Sequence, residues 1–161
     1  NEIETSISNP KVILDYEFKG LSFKYPYDWK ITNKSDIGNG AGHSITIEPT
    51  GIKKIGVVTI NWFQEEENLG ISHEYMKRTL KNILIYKKAI WNEDRTVFQN
   101  GIMTFKSSFK YSLLNVDWSG ELYTFYLNGK TIFVHTQAAD RTKNKNKDDF
   151  EVIMSSIKSK V

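Results

Sequence analysis

The sequence contains no cysteine, which excludes disulfide bonds, thiol catalysis and thiolate metal sites. Long hydrophobic runs are also missing: stretches such as Ile83-Leu84-Ile85 are far shorter than the roughly 18 consecutive apolar residues of a membrane span. Neither charge sign dominates, because 22 basic and 19 acidic residues leave a net charge of +3. The basic residues are scattered and form no stripe of arginines with interleaved aromatics, so we predict that the protein does not bind nucleic acid.

Motifs for nucleophilic catalysis and phosphate binding are missing as well. No Gly-x-Ser-x-Gly motif is present. The segment GNGAG, residues 38–42, lacks the Lys-Ser/Thr of a P-loop and precedes a strand pattern rather than a helix. We interpret it as a flexible loop. The acidic run QEEEN, residues 64–68, could suit calcium, but without EF-hand spacing we interpret it as a solvated loop.

The three histidines, His43, His73 and His135, are isolated in the sequence and none has a partner at metal-ligand spacing. We expect His73, in the first turn of a predicted helix, to be exposed. A convergence of His43 and His135 in space stays open. We therefore expect a protein that is not an enzyme and that holds no metal or cofactor.

The length of 161 residues fits one domain, and the first residue is Asn1 rather than Met. Residues 1–11 are expected to form a flexible N-terminal tether, with a single domain over residues 12–161. We therefore expect the sequence to be that of a processed or a trimmed chain, and a leader or a lipid anchor could precede Asn1. That organisation predicts an exported or envelope protein, with a cytoplasmic location as the alternative.

Strand patterns dominate the first half of the chain. Residues 12–18 and 21–25 flank Gly20 as a first extended pair, and residues 43–49 alternate apolar and polar positions. Residues 55–63 are apolar on both faces, which indicates a central strand.

Two segments change to the helical period. Residues 72–88 place Met76 and Leu80 on one face, with Ile83 and Leu84 continuing it and Ser72 as the N-cap. Residues 147–159 form the second predicted helix. The preceding segment, residues 140–149, is interpreted as a solvated loop, with a mobile basic loop that docks a partner as the alternative. Asn100-Gly101 and Asn128-Gly129 predict tight hairpins, since Asn-Gly adopts the positive φ angles of a type I′ turn. The result is an α+β domain with a largely antiparallel sheet covered by helices.

Four aromatic rings and a proline crowd into FKYPYDW, residues 23–29. Phe23 and Tyr25 share one strand face, Pro26 stops strand pairing, and Trp29 turns back toward the core. We interpret this stretch as a core corner. Trp91 and Trp118 lie outside the clear core pattern, so they are candidates for a binding surface.

The sequence of this corner also resembles that of a known protein family. GLSFKYPYDWKI, residues 20–31, resembles the opening signature of the PsbP-like family, in which aromatic-x-aromatic-Pro is followed three residues later by Trp. The turn LNGK, the strand TIFVHTQAAD and the terminal segment DDFEVIMSSIKSK resemble the family's last hairpin and helix. The resemblance implies a Mog1/PsbP-like α/β/α sandwich from about residue 15 onward.

The resemblance implies no single function, because the family includes photosystem II subunits, assembly factors, a Ran-binding protein and many exported prokaryotic proteins. The Lys-, Asn- and Ile-rich composition favours the exported prokaryotic branch. We expect a non-enzymatic binding or assembly module with a protein partner. The alternatives are a cytosolic protein-binding domain like the Ran-binding relative, or a small-ligand or metal binder that uses a pocket between sheet and helix.

Overall fold

The computed structural model describes residues 12–83 and 86–160, so the predicted tether over residues 1–11 lies outside the described residues. The strands are β1 (Ile13–Phe18), β2 (Leu21–Pro26), β3 (Trp29–Ile37), β4 (Gly42–Pro49), β5 (Gly56–Phe63), β6 (Ile90–Trp91), β7 (Arg95–Gln99), β8 (Ile102–Leu113), β9 (Val116–Leu127), β10 (Lys130–Ala139) and β11 (Lys158–Ser159). The helices are α1 (Leu69–Lys81) and α2 (Lys143–Ser155).

The strands form two sheets in which neighbouring strands run antiparallel. The larger sheet has eight strands, with seven in the order β3-β4-β5-β10-β9-β8-β6 and β7 paired to β8 beside β6. The smaller sheet has the order β1-β2-β11. Strand β5 lies between β4 and β10, which confirms its prediction as a central strand.

Tight hairpins connect consecutive strands as the Asn-Gly pairs predict. Asn100 and Gly101 have φ angles of 53° and 75°, and Asn128 and Gly129 have φ angles of 46° and 77°. A third turn of this kind, at Leu114-Asn115, joins β8 to β9 with φ angles of 50° and 61°. Sequence reasoning missed it because leucine rarely adopts a positive φ.

Hydrophobic cores lie on both sides of the larger sheet. The α2-side core packs the larger sheet against the smaller sheet and α2, with members such as Phe23, Ile60 and Ile153. The α1-side core packs the opposite face against α1, with members such as Met76 and Phe133. The architecture is therefore an α+β fold of the α/β/α sandwich type, as predicted.

Helix α1 is shifted toward the N-terminus relative to the predicted range of 72–88. It begins at Leu69 because the Asn68 side chain accepts a hydrogen bond from the Ile71 amide at 3.0 Å, which makes Asn68 the N-cap. The prediction of Ser72 as the N-cap is wrong, since Ser72 lies buried inside the helix. Met76 and Leu80 are buried as predicted.

The predicted continuation of that helical face does not hold beyond Lys81. Ile83 follows the end of α1 and its side chain is 44% exposed, while Leu84 lies outside the described residues.

Helix α2 likewise begins before the predicted range of 147–159. The segment interpreted as a loop forms a 3-10 turn at Asp140–Thr142 and then the first turns of α2. Asn146 explains the difference: its side chain is fully buried and donates to the carbonyl oxygens of Thr142 at 3.0 Å and Ile55 at 3.3 Å. These tertiary contacts stabilise a helix start that propensity does not predict.

The end of α2 also precedes the predicted end. The helix stops at Ser155, and Lys158–Ser159 forms β11, which pairs with β2. Neither described helix is long and apolar enough to cross a membrane.

The aromatic corner is anchored to α2 by a buried carboxylate. Phe23 and Trp29 are each 2% exposed, and Pro26 is the last residue of β2. The Trp29 Nε1–H donates to Asp149 Oδ2 at 2.9 Å, and Lys54 Nζ donates to the same oxygen at 2.7 Å. Asp149 is fully buried, so these contacts join the corner, α2 and the connection before β5.

Replacing Asp149 is expected to be far more costly than replacing its neighbour Asp148, which is exposed on the same helix. Asp149→Ala leaves Lys54 and the Trp29 N–H without this acceptor, and we expect a loss of about 3–5 kcal/mol in the free energy of unfolding. Trp29→Phe removes only one donor and some ring area, so we expect a loss of about 1–3 kcal/mol. Urea denaturation measures the free energy of unfolding of both variants.

Asp148→Ala is the matched control, because it makes the same change of charge and size at an exposed position. Its expected effect is within about 0.5 kcal/mol of the parent protein. Equal losses for the Asp148 and Asp149 variants would contradict a stabilising role for the buried carboxylate.

Candidate binding groove

A groove with a volume of about 570 Å³ lies between α2 and the face of the larger sheet toward it. Helix α2 packs against β2, β10 and β5, so it covers the central strands of that face. Residues of β8, β9 and β10 line the floor of the groove, and residues of α2 line one wall. We call this feature the α2 groove.

Side-chain alternation along β8 explains the polar floor. Ser107 and Phe109 are buried on the α1 side, so Lys106, Ser108 and Lys110 point to the opposite face and line the α2 groove. Helix α2 contributes a single stripe of side chains because helical neighbours recur at spacings of three and four. That stripe consists of Lys143, Lys147, Phe150, Glu151 and Met154.

The negative charge of one acidic residue in the α2 groove is already compensated by neighbouring side chains. Lys106 Nζ lies 3.3 Å from Glu121 Oε2, and the Tyr123 hydroxyl donates to the same carboxylate oxygen. Burial, with a contribution from Glu121, raises the pKa of Tyr123, so the phenol keeps its proton. The carboxylate of Glu121 is thus committed to contacts within the protein.

Three of the groove lysines have no such compensation. Lys110, Lys143 and Lys147 are exposed and form no ion pair with any residue in the described ranges. Glu151, also on α2, is the acidic residue of the groove that likewise has no ion pair there. The uncompensated charge of the α2 groove is therefore positive, and it suits an anionic ligand.

A polar network on the opposite side of the sheet contains a histidine and a serine. His73 Nε2 lies 2.7 Å from Ser107 Oγ, and His73 Nδ1 lies 2.7 Å from Thr124 Oγ1. Ser107 donates its proton to Asp94, which also accepts from Lys77 Nζ at 2.8 Å. We assign the proton of His73 to Nε2, because Ser107 Oγ then accepts it and Thr124 donates to Nδ1.

This arrangement does not activate the Ser107 hydroxyl. The Ser107 proton is directed to Asp94, so His73 does not serve as the base that would activate the hydroxyl. The expectation that His73 is exposed is wrong: its side chain is 1% exposed. The reason is its spacing: His73 lies three residues before Met76 and seven before Leu80, on the face of α1 that is buried against the sheet.

The surroundings of His73 and Asp94 determine their protonation states. Burial lowers the pKa of His73, so the imidazole is neutral near pH 7. Burial alone would raise the pKa of Asp94, but hydrogen bonds from Lys77 and Ser107 outweigh it and lower that pKa. Asp94 therefore remains an anion and holds α1 against β8 through Lys77.

The suggested convergence of His43 and His135 is wrong. His43 pairs with Trp62 across β4 and β5 and packs against it on the α2 side. His135 packs against Tyr86 and Phe109 on the α1 side. The two histidines lie on opposite faces of the larger sheet. In the described part of the chain, no group of three or more His, Cys, Asp or Glu residues could hold a metal ion.

A smaller cavity of about 340 Å³ lies beneath α1. His135 and Asn61 line it, and their Nε2 and Oδ1 atoms are buried without a hydrogen-bond partner among the residues that the structure describes. Burial lowers the pKa of His135 to about 4, so the ring is neutral at physiological pH. The cavity thus offers two unengaged polar atoms within largely apolar walls.

The two candidate surface tryptophans belong to one row of rings on the α1 side. Trp118 stacks on Tyr111 with ring centroids 6.1 Å apart, and Trp91 packs on Phe109 at 4.7 Å. Both tryptophans are half-buried. The ammonium of Lys81 lies 5.6 Å from the centre of the Trp91 ring. We call Trp91 and Trp118, with the rings between them, the aromatic row.

Sequence reasoning did not identify the α2 groove. Its lysines come from β8 and α2, which are distant in the sequence, and Lys143 was assigned to a loop. The available signal was the alternation in KSSFK, residues 106–110, which places two lysines and a serine on one strand face.

Comparison with known proteins identifies the fold. No protein-family model matches the sequence, and no curated protein matches it. Among solved structures, cyanobacterial PsbP (CyanoP) from Synechocystis sp. PCC 6803 superimposes with a TM-score of 0.63 at 12% identity, covering 96% of each chain. LpqN of Mycobacterium tuberculosis, involved in cell envelope biogenesis, gives a TM-score of 0.57 at 12% identity, covering 94% of this chain and 86% of LpqN.

The Ran-binding protein Mog1p of Saccharomyces cerevisiae gives a TM-score of 0.54 at 7% identity, covering 90% of this chain and 86% of Mog1p. The chain therefore has the Mog1/PsbP-like fold that the sequence predicted. At identities this low, the likeness establishes the fold and not the function.

The two buried histidines predict that the free energy of unfolding falls as the pH falls from about 6.5 to about 4. Their pKa values are lowered in the folded state, so the unfolded chain takes up protons first as the pH decreases. The shift of His135 alone corresponds to about 3 kcal/mol. Urea denaturation between pH 4.5 and pH 7.5 measures how the free energy of unfolding changes with pH.

His135→Phe and His135→Gln should both flatten this pH dependence, since neither residue titrates, and His73 should supply what remains. The Asp94 carboxylate contributes to the pH dependence of stability only at lower pH, because its pKa is lowered in the folded state. Curves parallel to that of the parent protein would contradict the assignment to His135.

Proposed function

We propose that the protein is a non-enzymatic binding or assembly module, exported or held at the cell envelope, that binds a protein partner. The observation that carries this proposal is the α2 groove, an open concave surface rimmed by lysines that form no ion pair among the described residues. A net positive charge around an open groove favours recognition of an anionic partner from outside. The Ser107–His73 pair supports the non-enzymatic part, because Ser107 directs its proton to Asp94.

The envelope location is supported by a structural neighbour. LpqN, which shares the fold, is described as involved in cell envelope biogenesis. A tether over residues 1–11 and a lipid anchor before Asn1 would place the domain at a membrane surface. The alternative is a cytosolic protein-binding domain, which the Ran-binding protein Mog1p supports by its description.

The aromatic row is proposed as a second contact surface for the partner. Trp118 lies on β9 and Lys110 on the neighbouring strand β8, on opposite faces of the larger sheet. A partner that approaches the sheet edge near β8 would reach both surfaces. Half-buried tryptophans provide large contact area at low entropic cost.

A small-ligand binder is the second candidate function, and the 340 Å³ cavity beneath α1 is the observation that favours it. His135 Nε2 and Asn61 Oδ1, which have no hydrogen-bond partner within the described ranges, would orient a small polar molecule there. Stabilisation by a screened compound that is lost in His135→Phe would support this candidate.

Affinity capture after crosslinking tests the proposed function. The full-length protein is captured from its native host, with envelope and cytosol analysed separately. A single enriched envelope protein is expected. A partner found only in the cytosol would overturn the envelope location, and no enriched partner in either fraction would overturn the binding module itself.

Replacing Trp118 by Ala should reduce recovery of that partner by about tenfold or more if the aromatic row is a contact surface. Tyr75→Ala is the matched control, because Tyr75 is a 63% exposed aromatic residue on α1. Urea denaturation checks that both variants remain folded. Unchanged recovery with a folded Trp118→Ala variant would remove the aromatic row from the proposed interface.

A further inference from the structure

We propose that the α2 groove binds an extended peptide segment in which acidic and apolar residues alternate. The inference rests on the proposed function, since it names the part of a protein partner that this surface recognises. Its support comes from the charges at the rim, the apolar side chains below them and the direction in which the charges change along α2.

The cations approach the α2 groove from two sides. Lys110 extends from β8 on the sheet, while Lys143 and Lys147 extend from successive turns of α2. All three are exposed and form no ion pair within residues 12–83 and 86–160. Carboxylates lying between these elements would be flanked by ammonium groups on both sides, which is a complementary arrangement of charge.

Part of the groove interior is apolar, beside the polar residues of the floor. Met154 is 6% exposed, Ala138 is 2% exposed, and the ring of Phe150 is half-buried. These side chains line the same groove as the three lysines. An extended peptide directs alternate side chains to opposite sides, so apolar residues can face this interior while acidic residues face the rim.

Glu151 limits how far a run of acidic residues can extend. It lies one turn beyond Lys147 on the same stripe of α2 and forms no ion pair in the described part of the chain. A carboxylate placed beside it would be repelled. The groove therefore favours acidic residues near Lys143 and Lys147 and disfavours a uniformly acidic segment.

Fluorescence anisotropy with a labelled peptide tests this inference on the full chain. The probe is a fluorescein-labelled eight-residue peptide in which four glutamates alternate with four leucines. The control probe replaces the glutamates by lysines. We expect saturable binding of the acidic probe only, weakened at 300 mM compared with 50 mM NaCl because salt screens exposed charges.

Two triple variants with the same change of charge localise the binding. Lys110→Glu, Lys143→Glu and Lys147→Glu together should weaken binding of the acidic probe by about tenfold or more. Lys30→Glu, Lys53→Glu and Lys87→Glu replace exposed lysines outside the groove and should change it by less than about threefold. Urea denaturation verifies that both variants are folded.

Three outcomes would overturn the inference: no binding of the acidic probe, equal weakening in the two triple variants, or displacement of the probe by duplex DNA or anionic phospholipid vesicles at lower concentration than by unlabelled peptide. The crosslinking and capture experiment distinguishes failure of this inference from failure of the proposed function. A captured partner that binds the groove variant as well as the parent protein leaves the binding module standing and removes the groove as its acidic-peptide site.

Discussion

The arrangement of the layers depends on the buried carboxylate of Asp149. It lies on α2 and accepts hydrogen bonds from the indole of Trp29 and the ammonium of Lys54. A buried carboxylate is tolerated only when it is paired and hydrogen-bonded, so this contact fixes where α2 can lie. With α2 held over the central strands, the outer strands β8 and β9 remain open, and the α2 groove follows from that placement.

The two faces of the larger sheet differ in chemistry. On the α1 side, β8 contributes Ser107, Phe109 and Tyr111, which are buried in a polar network and a row of rings. On the α2 side, the same strand contributes Lys106 and Lys110 to an open groove. One strand thus serves a closed core with one set of alternate residues and an accessible surface with the other.

Local patterns in the sequence were sufficient for much of the fold. The Asn-Gly turns, the two-sided apolar character of β5 and the residue order at the aromatic corner depend on neighbouring residues, and the structure agrees with them. Features decided by distant contacts were missed. Asn146 stabilises the start of α2 through contacts with Ile55, and His73 is buried by its hydrogen bonds to Thr124 and Ser107 on the sheet. The groove lysines meet only after α2 is placed on the sheet, so no short pattern could reveal them together.

The position of β5 also has a consequence for how the chain reaches its native state. Its partner β10 follows only after α1 and the strands β6 to β9 have been synthesised. A nascent chain therefore carries a strand that is apolar on both faces, with one ladder of backbone groups unpaired, until nearly the whole domain has been made. High contact order of this kind slows folding and prolongs exposure of the strand. The central pairing that stabilises the finished sheet thus forms late in synthesis, which lengthens the period in which the growing chain is prone to aggregation.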